Sequence, residues 1–283
     1  MIHHRIRTNG IQLHVVEDGP ASGPLLIFLH GFPECWASWR RQISVLAAAG
    51  FRVWVPDQRG YNLSEKPNDI SSYSLDQLAA DVIGLIDAAG QRRAHLVGHD
   101  WGAAVAWWVA AQAPERLERM VVINVPHPRV MLEQLWHNPR QMLRSWYIFF
   151  FQIPWLPEAL AQLHDSALPV RLMIRSSRPG TFSAHQLDIY RQAWSQPGAW
   201  SSMLHWYRAA MRYPPKPLAN PRINTPTLMI WGAHDMFLGR ELIRPSLEYC
   251  VKGKLVVFEN ATHWVHHEQA ARVSELIRKY FTY

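Results

Sequence analysis

The sequence predicts an α/β fold, in which a mostly parallel central sheet is flanked by helices and interrupted by an inserted helical domain. Short apolar runs alternate with helical patterns over most of the 283 residues, which is typical of parallel strands connected by helices. This alternation stops after residue 127 and resumes after residue 220. We therefore assign residues 1–127 and 221–283 to the sheet-bearing part and residues 128–220 to the helical insertion.

The first predicted element is a β-hairpin. Apolar and polar residues alternate from Ile2 to Arg7 and from Ile11 to Glu17, on either side of Thr8-Asn9-Gly10. An Asn-Gly pair between two alternating segments is a strong hairpin signal.

Six apolar runs then follow as candidate buried strands. They are Leu25 to Leu29, Val53 to Val55, Ala94 to Val97, Met120 to Ile123, Thr227 to Ile230 and Leu255 to Phe258. Helical patterns separate the first four runs and cover Ala37 to Ala49, Ser74 to Ala89 and Gly102 to Ala113. Ser74 and Gln77 have the spacing of a capping box at the start of the second of these helices.

The insertion begins at Pro126-His127-Pro128, after which about ninety residues show no clear buried strand. Helical patterns occur near Met131 to Phe151 and Ala184 to Met211. A proline-rich boundary, Pro214-Pro215-Lys216-Pro217 followed by Pro221, ends the segment.

Composition and charge exclude several classes of protein. With 48% hydrophobic residues and 12% aromatic residues the chain is not disordered. The sequence has no run of 18 uncharged apolar residues, so we expect no membrane partner. Two distant cysteines and the absence of a signal-peptide core near the start lead us to expect a cytoplasmic protein. Of the net charge of +7, an excess of six lies in residues 129–220, where the arginines stand singly, so we expect no nucleic-acid partner.

The most informative motif is Gly98-His99-Asp100-Trp101-Gly102, between a predicted strand and a predicted helix. This is the context of a nucleophile elbow, with Asp100 at its centre. A carboxylate is a poor nucleophile towards esters and amides, but it can attack an sp³ carbon and form an alkyl ester. Water must then hydrolyse that ester with the help of a general base.

Two further residues lie where such a base and its orienting acid are expected. His263 follows the last apolar run, and Asp235 follows the preceding one. The order nucleophile, acid, histidine is the one expected after an elbow of this kind. Asn124, after the run Met120 to Ile123, is an amide and cannot supply the carboxylate, which favours Asp235.

An oxyanion hole is also predicted at this edge. The segment His30-Gly31-Phe32-Pro33-Glu34 follows the first buried run, so the backbone N–H groups of Phe32 and Trp101 are expected to stabilise an oxyanion. We assign His30 a structural role and expect the charges of the loop Asp57 to Ser64 to pair within the loop.

Each candidate also has a structural explanation when taken alone. Asp100 can be a helix N-cap, and Asp235 can be a turn residue. His263 with His266 and His267 raises the question of a metal, but a ligand set with suitable spacing is missing. Three suitable residues follow three different strands and meet at one edge of the sheet, so one shared site explains them better than three separate structural roles. We expect neither a metal nor a cofactor.

Taken together, the motifs resemble those of a soluble epoxide hydrolase of the α/β-hydrolase superfamily. The matching segments are HGFPE (30–34), DQRGYNLS (57–64), GHDWG (98–102), WGAHD (231–235) and ATHWVHHE (261–268). The resemblance covers nearly the whole chain and implies an α/β-hydrolase fold whose insertion is a cap, or lid. It also implies a small hydrophobic epoxide as the substrate, which water converts to a vicinal diol.

The resemblance assigns a role to two tyrosines of the cap. In epoxide hydrolases two phenols hold and protonate the oxygen of the epoxide ring. Tyr147, four residues before Phe151-Gln152, and Tyr207, in Trp206-Tyr207-Arg208, match the two sequence contexts.

Two alternatives stay open. Haloalkane and haloacetate dehalogenases share the scaffold and the Asp nucleophile, but the chain lacks the Asn and Arg residues that those enzymes use for the halide or the carboxylate. A non-catalytic small-molecule binding protein on the same fold is the alternative from another class, and oligomeric state has no signal in the sequence. We also expect the tryptophans of the insertion, together with Trp101 and Trp264, to surround an apolar pocket that contains little water; they are Trp136, Trp146, Trp155, Trp194, Trp200 and Trp206.

Overall fold

A computed structural model describes residues 1–215 and 220–282. These residues contain one eight-stranded sheet, in the order β1-β2-β4-β3-β5-β6-β7-β8. The strands are β1 (Ile2–Thr8), β2 (Ile11–Asp18), β3 (Leu25–Leu29), β4 (Arg52–Pro56), β5 (Ala94–His99), β6 (Leu117–Ile123), β7 (Thr227–Gly232) and β8 (Gly253–Phe258). Strand β2 pairs antiparallel with β1 and β4, and every other neighbouring pair is parallel. The predicted α/β fold with a mostly parallel sheet is confirmed.

Helices cover both faces of this sheet. In chain order the helices are α1 (Arg40–Ala48), α2 (Leu75–Ala88), α3 (Trp101–Gln112), α4 (Pro128–His137), α5 (Pro139–Arg144), α6 (Trp146–Phe150), α7 (Leu156–Ser176), α8 (Ala184–Trp194), α9 (Ala199–Arg212), α10 (Ile243–Glu248), α11 (Val265–Glu268) and α12 (Ala270–Thr282). Helices α1 and α12 pack together, as do α2 and α3.

Strand β3 shows why its sequence is apolar throughout. Leu25, Ile27 and Leu29 belong to the hydrophobic cluster on one face of the sheet. Leu26 and Phe28 belong to the cluster on the other face. Because successive side chains of a strand point to opposite faces, a strand covered on both sides has no position for a polar residue.

The N-terminal hairpin forms as the sequence predicts. Thr8 pairs with Ile11, and the two turn residues between them, Asn9 and Gly10, have φ values of 45° and 76°. Positive φ at both central residues is the requirement of the tight turn that Asn-Gly favours.

The predicted capping box at the start of α2 is wrong. Within the described residues the Ser74 side chain caps no backbone N–H of this helix. The Gln77 side chain instead accepts a hydrogen bond of 3.1 Å from Asn9 Nδ2 in the hairpin turn. A tertiary contact has thus taken the side chain that the local motif needs, and the capping box of the described chain lies at Ser183 and Gln186, before α8.

Between β6 and β7 the chain forms α4 to α9, so the predicted interruption of the sheet by helices is present. Helix α7 was not predicted from the sequence. It is broken by non-helical backbone at Leu163, His164, Asp165 and Ser166, the last three with positive φ, and its polar and apolar residues therefore follow no single helical period. The boundaries 128 and 220 stay a prediction, and Lys216 and Pro217 of the proline-rich boundary lie outside the described residues.

The tryptophans of the insertion divide into two groups, which corrects the expectation that all six line a pocket. Trp194, Trp200 and Trp206 are buried, whereas Trp136, Trp146 and Trp155 are between 56% and 72% exposed. The sequence could not distinguish the two groups, because burial depends on which face of each helix meets the core.

One exclusion concerns the membrane. Over residues 1–215 and 220–282, the chain forms no helix that is both long and apolar enough to cross a bilayer.

Candidate active site

Asp100 lies at a sharp turn between β5 and α3. Its backbone has φ 49° and ψ −126°, a conformation that is strained for a residue with a side chain. A Cβ at Gly98 would collide with the Gly102 carbonyl, and one at Gly102 would collide with the Leu29 carbonyl, so both positions require glycine. Among the described residues the Asp100 carboxylate caps no N–H of α3, so its structural explanation as an N-cap does not apply.

The two oxygens of Asp100 have different neighbours. Oδ1 accepts a hydrogen bond of 2.8 Å from the Phe32 N–H, and Oδ2 lies 3.6 Å from His263 Nε2. Burial by itself raises the pKa of this carboxyl, but the hydrogen bond and charge of His263, the charge of His99 and the Phe32 N–H outweigh it and leave the pKa below its ordinary value. Asp100 is therefore ionised near neutral pH, with Oδ2 free of backbone hydrogen bonds in the described structure.

His263 is held on its other side by Asp235. Its Nδ1 donates to Asp235 Oδ2 over 2.7 Å, and Asn124 Nδ2 donates to the same oxygen over 2.7 Å. The second oxygen of Asp235 accepts from the N–H groups of Phe237 and Leu238. These donors fix the carboxylate, which in turn fixes the tautomer and orientation of His263 so that Nε2 faces Asp100.

The two carboxylates also control the charge of His263. Burial alone lowers its pKa, but the charge of Asp235, the interaction with the Asp100 carboxylate and the hydrogen bond to Asp235 raise the pKa to about 10. The imidazole therefore carries a proton near neutral pH as long as both carboxylates are ionised.

Tyr147 in α6 and Tyr207 in α9 lie next to each other above this triad, with ring centroids 6.0 Å apart. The ring of Tyr207 meets Phe32 and Trp101 edge to face at 5.2 Å and 5.0 Å. Burial raises the pKa of both hydroxyls, and the negative charge of Asp100 raises both further. Both phenols thus keep their protons at neutral pH and lie within the field of the Asp100 carboxylate.

Phe237 connects the two parts of the site. Its ring contacts Tyr147 at 5.7 Å and His263 at 5.2 Å between centroids. Phe151 contacts Tyr147 and Tyr207 in the same way. Aromatic rings therefore lie beside both tyrosines and His263. Neither Phe151 nor Phe237 was predicted to lie here, because an aromatic residue in a loop or helix gives no local signal of facing a site.

A buried polar cluster that the sequence did not predict lies behind His263. Glu34 receives His267 Nε2 at 2.6 Å on one oxygen, and its other oxygen lies 3.2 Å from His99 Nδ1 and 3.5 Å from His266 Nε2. Burial favours the neutral form of Glu34, but the neighbouring histidines outweigh it and hold its pKa well below the ordinary value. His99 Nε2 donates to the backbone carbonyl of His263 over 2.9 Å, so the cluster supports the histidine of the triad from behind.

This cluster is also the group of side chains that could hold a cation. The ligand atoms of Glu34, His99 and His266 lie within 4.8 Å of one another. Glu34 Oε1 already accepts hydrogen bonds from His267 and Tyr190, and Oε2 lies 3.2 Å from His99 Nδ1, so the carboxylate has partners without a metal.

The loop Asp57 to Ser64 differs from the prediction, because its main charges pair outside the loop. Arg59 forms a buried, two-pronged ion pair with Asp81 of α2, at 2.7 Å and 2.8 Å. Asp57 lies 2.6 Å from His14 Nδ1 of β2. Sequence distance hides both partners. His30 is buried and accepts a hydrogen bond from the Gln58 N–H, as its predicted structural role requires.

Comparisons with known proteins identify the family of the chain. Residues 24–270 match the family described as the alpha/beta hydrolase fold. The AB hydrolase superfamily protein YfhM of Bacillus subtilis (strain 168) is 46% identical over 277 residues, covering 97% of this chain and 96% of that protein. Epoxide hydrolase 4 of Homo sapiens is 36% identical over 280 residues, covering 96% of this chain and 76% of that protein.

A solved structure of a Bacillus megaterium epoxide hydrolase in complex with an inhibitor superimposes with a TM-score of 0.90 at 29% identity, covering 99% of this chain and all of that one. The resemblance indicated by the motifs is confirmed. The chain is therefore an enzyme of the α/β-hydrolase family and belongs, within it, to the epoxide hydrolases.

Proposed function

We propose that this enzyme converts a small hydrophobic epoxide and water to a vicinal diol through a covalent ester on Asp100. The observation that carries the proposal is the setting of Asp100. An ionised carboxylate has one oxygen held by the Phe32 N–H and the other directed to His263, below two neutral phenols. The proposed reaction needs no cofactor, since the epoxide and water react only with groups of this chain.

In the first step Asp100 Oδ2 attacks a carbon of the oxirane. A carbon–oxygen bond forms to Asp100, the bond from that carbon to the ring oxygen breaks, and the ring oxygen becomes an alkoxide. Tyr147 and Tyr207 hold this oxygen and supply its proton. Because burial and the Asp100 charge raise their pKa, the phenols are protonated before the attack.

In the second step water attacks the carboxyl carbon of the ester. Esterification removes the negative charge of Asp100, which is one of the groups that raise the pKa of His263, so the imidazolium becomes easier to deprotonate in the ester than in the free enzyme. The proton that His263 releases balances the one that the phenols gave to the alkoxide. His263, oriented by Asp235, then takes a proton from the attacking water. The bond between the carboxyl carbon and the substrate oxygen breaks, and that oxygen takes up the remaining proton of the attacking water. The diol leaves, and Asp100 is again ionised and His263 protonated.

The oxyanion that forms in this second step develops on the oxygen that is Oδ1 in the free enzyme. The Phe32 N–H already donates to that oxygen over 2.8 Å. We assign the second donor to the Trp101 N–H, at the first residue of α3.

We further propose that residues 128–220 form the cap. Helices α6 and α9 supply the two tyrosines, and the buried Trp200 meets Phe32 edge to face at 6.2 Å. An apolar wall of this kind suits a hydrophobic epoxide, since burial of apolar surface stabilises the complex by roughly 25 cal/mol per Å².

The test is a single turnover in ¹⁸O-labelled water with enzyme in excess over styrene oxide. We expect an unlabelled diol and one labelled oxygen in the peptide that contains Asp100, because water attacks the enzyme ester and not the substrate. Label in the diol that the first turnover forms contradicts the ester mechanism. Asp100→Asn is the control and should form neither diol nor ester.

The same enzyme, assayed with a haloalkane, tests the alternative activity. A dehalogenase releases halide from a haloalkane of similar size, and halide release without diol formation from any epoxide would replace the proposed function. Binding of the epoxide without turnover would favour the non-catalytic alternative.

A further inference from the structure

The Phe32 N–H belongs to a tight turn, residues 31–34. The Glu34 N–H closes this turn on the Gly31 carbonyl over 2.9 Å. Three groups of the turn point in different directions: the Phe32 N–H towards Asp100, the Pro33 carbonyl towards α8, and the Glu34 side chain into the buried polar cluster. The orientation of one peptide group is thus linked to contacts on the far side of the turn.

Helix α8 of the insertion holds this turn at two points. Trp194 Nε1 donates to the Pro33 carbonyl over 2.6 Å, and the Tyr190 hydroxyl donates to Glu34 Oε1 over 3.0 Å. Both side chains are buried, and their rings stack at 6.1 Å with an interplanar angle of 15°. Burial and the nearby Glu34 charge raise the pKa of Tyr190, so its hydroxyl stays a donor.

We propose that Tyr190 and Trp194 are positioning residues, which hold the Phe32 N–H in place and thereby set the rate of ester hydrolysis. This inference rests on the proposed ester mechanism. Neither residue is among the groups that hold the nucleophile, the base or the ring oxygen. The insertion then contributes to the reaction in two ways, through the tyrosines that open the epoxide and through α8, which accelerates the second step.

The two half-reactions respond differently to the Phe32 N–H for an electrostatic reason. In the free enzyme this N–H donates to a full carboxylate, and that carboxylate loses its negative charge as Oδ2 attacks the epoxide. The donor therefore stabilises the starting state of the first step. In the second step negative charge returns to the same oxygen as water attacks, and there the donor stabilises the transition state. Displacing the N–H should slow ester hydrolysis while leaving ester formation unchanged or slightly faster.

The experiment compares the two rate constants in Tyr190→Phe, Trp194→Phe and the double variant. Each change removes one donor and keeps an aromatic ring. Excess enzyme is mixed with styrene oxide and quenched in acid at successive times. Mass spectrometry of the peptide that contains Asp100 then follows the formation and decay of the ester. Removing an oxyanion donor outright costs about 10²–10³ in rate, so we expect displacement to cost about tenfold in hydrolysis for each single variant and more for the double variant.

Matched controls come from buried donors elsewhere. The Tyr73 hydroxyl donates to the Pro67 carbonyl over 2.7 Å, and Trp107 Nε1 donates to the Val125 carbonyl over 3.2 Å. Neither acceptor belongs to the turn. Tyr73→Phe and Trp107→Phe should leave the ratio of the two rate constants within about twofold of the wild type, since loss of an ordinary buried hydrogen bond acts on stability.

The proposal is overturned if hydrolysis in Trp194→Phe keeps its wild-type rate, or if formation and hydrolysis slow in the same proportion. If Tyr190→Phe fails to fold because Glu34 loses a partner, Trp194→Phe tests the proposal alone, since its bond is to a backbone carbonyl. A wild type that forms no ester at all is a different result, which refutes the proposed function itself.

Discussion

Asp235→Asn tests the triad most sharply, because the structure shows what each orientation of the new amide would meet. Two donors, His263 Nδ1 and Asn124 Nδ2, point at Asp235 Oδ2, and two backbone donors, the N–H groups of Phe237 and Leu238, point at Oδ1. An asparagine has one accepting end and one donating end. Whichever way it turns, its NH₂ group faces two donors.

The expected magnitudes follow from this opposition. Each buried donor left without an acceptor costs about 1–3 kcal/mol, so the free energy of unfolding should fall by about 2–6 kcal/mol if neither rearranges. Where the NH₂ group faces His263, the Nδ1–H can escape only by moving its proton to Nε2, and Nε2 then has no lone pair to accept a proton from the attacking water. The same substitution in a serine-protease triad lowers kcat about 10⁴-fold through the wrong tautomer, and we expect a loss of about 10³–10⁴ in ester hydrolysis.

Stopped-flow fluorescence with mass detection of the Asp100 ester measures both steps, since the Trp101 ring contacts Tyr207 and the Trp264 ring contacts His263. We expect the ester to form and to accumulate in Asp235→Asn. The double variant Asn124→Asp with Asp235→Asn is the control, because it returns a carboxylate to within 2.7 Å of the lost oxygen and should recover part of the hydrolysis rate. Hydrolysis within threefold of the wild type in Asp235→Asn would refute the assigned role of this residue.

The remaining predictions concern the nucleophile, the base and the phenols. His263→Gln should form the ester and hydrolyse it at least 10²-fold more slowly, as seen by mass spectrometry; equal slowing of both steps contradicts its role as base. Tyr147→Phe combined with Tyr207→Phe should abolish epoxide opening, with each single variant retaining measurable ester formation; an unchanged rate points to another proton donor. Because the pKa of Asp100 is lowered from 3.8, its ionisation should persist as the pH falls, and ester formation should still exceed half its maximal rate at pH 3.8. A half-maximal point above pH 3.8 contradicts this. Finally, a raised pKa of His263 stabilises the fold fully below pH 6.5 and loses that effect as the pH rises through about 10, so the difference in unfolding free energy between the wild type and His263→Gln should shrink over that range.

Much of the site could be predicted because the sheet is parallel. The carboxyl ends of β3, β5, β7 and β8 lie at one edge, so residues that follow different strands meet there, however far apart they are in sequence. Asp100, Asp235 and His263 were found in this way, and the structure brings them within hydrogen-bonding or ion-pair distance. Tyr147 and Tyr207 could not be found from strand positions, and only the family resemblance pointed to them.

Local signals failed where a tertiary contact competed with them. Gln77 was predicted to cap α2, but it bonds to Asn9, and Arg59 was expected to pair within its loop, but it binds Asp81. Helix α7 was missed because left-handed backbone interrupts its period at His164 to Ser166.

The α/β fold and the hairpin could be predicted from the sequence, because they depend on hydrophobic period and turn chemistry. The order of the strands also allowed Asp100, Asp235 and His263 to be placed at one edge of the sheet. Three features depend on tertiary contacts and could not be predicted: which tryptophans are buried, how Glu34 contacts three histidines behind His263, and how α8 holds the turn that carries Phe32. The bonds from α8 to this turn join residues more than 150 positions apart. Such bonds are sensitive to shifts of a few tenths of an ångström, and only the packing of the helices on the sheet fixes the donor–acceptor distance that closely.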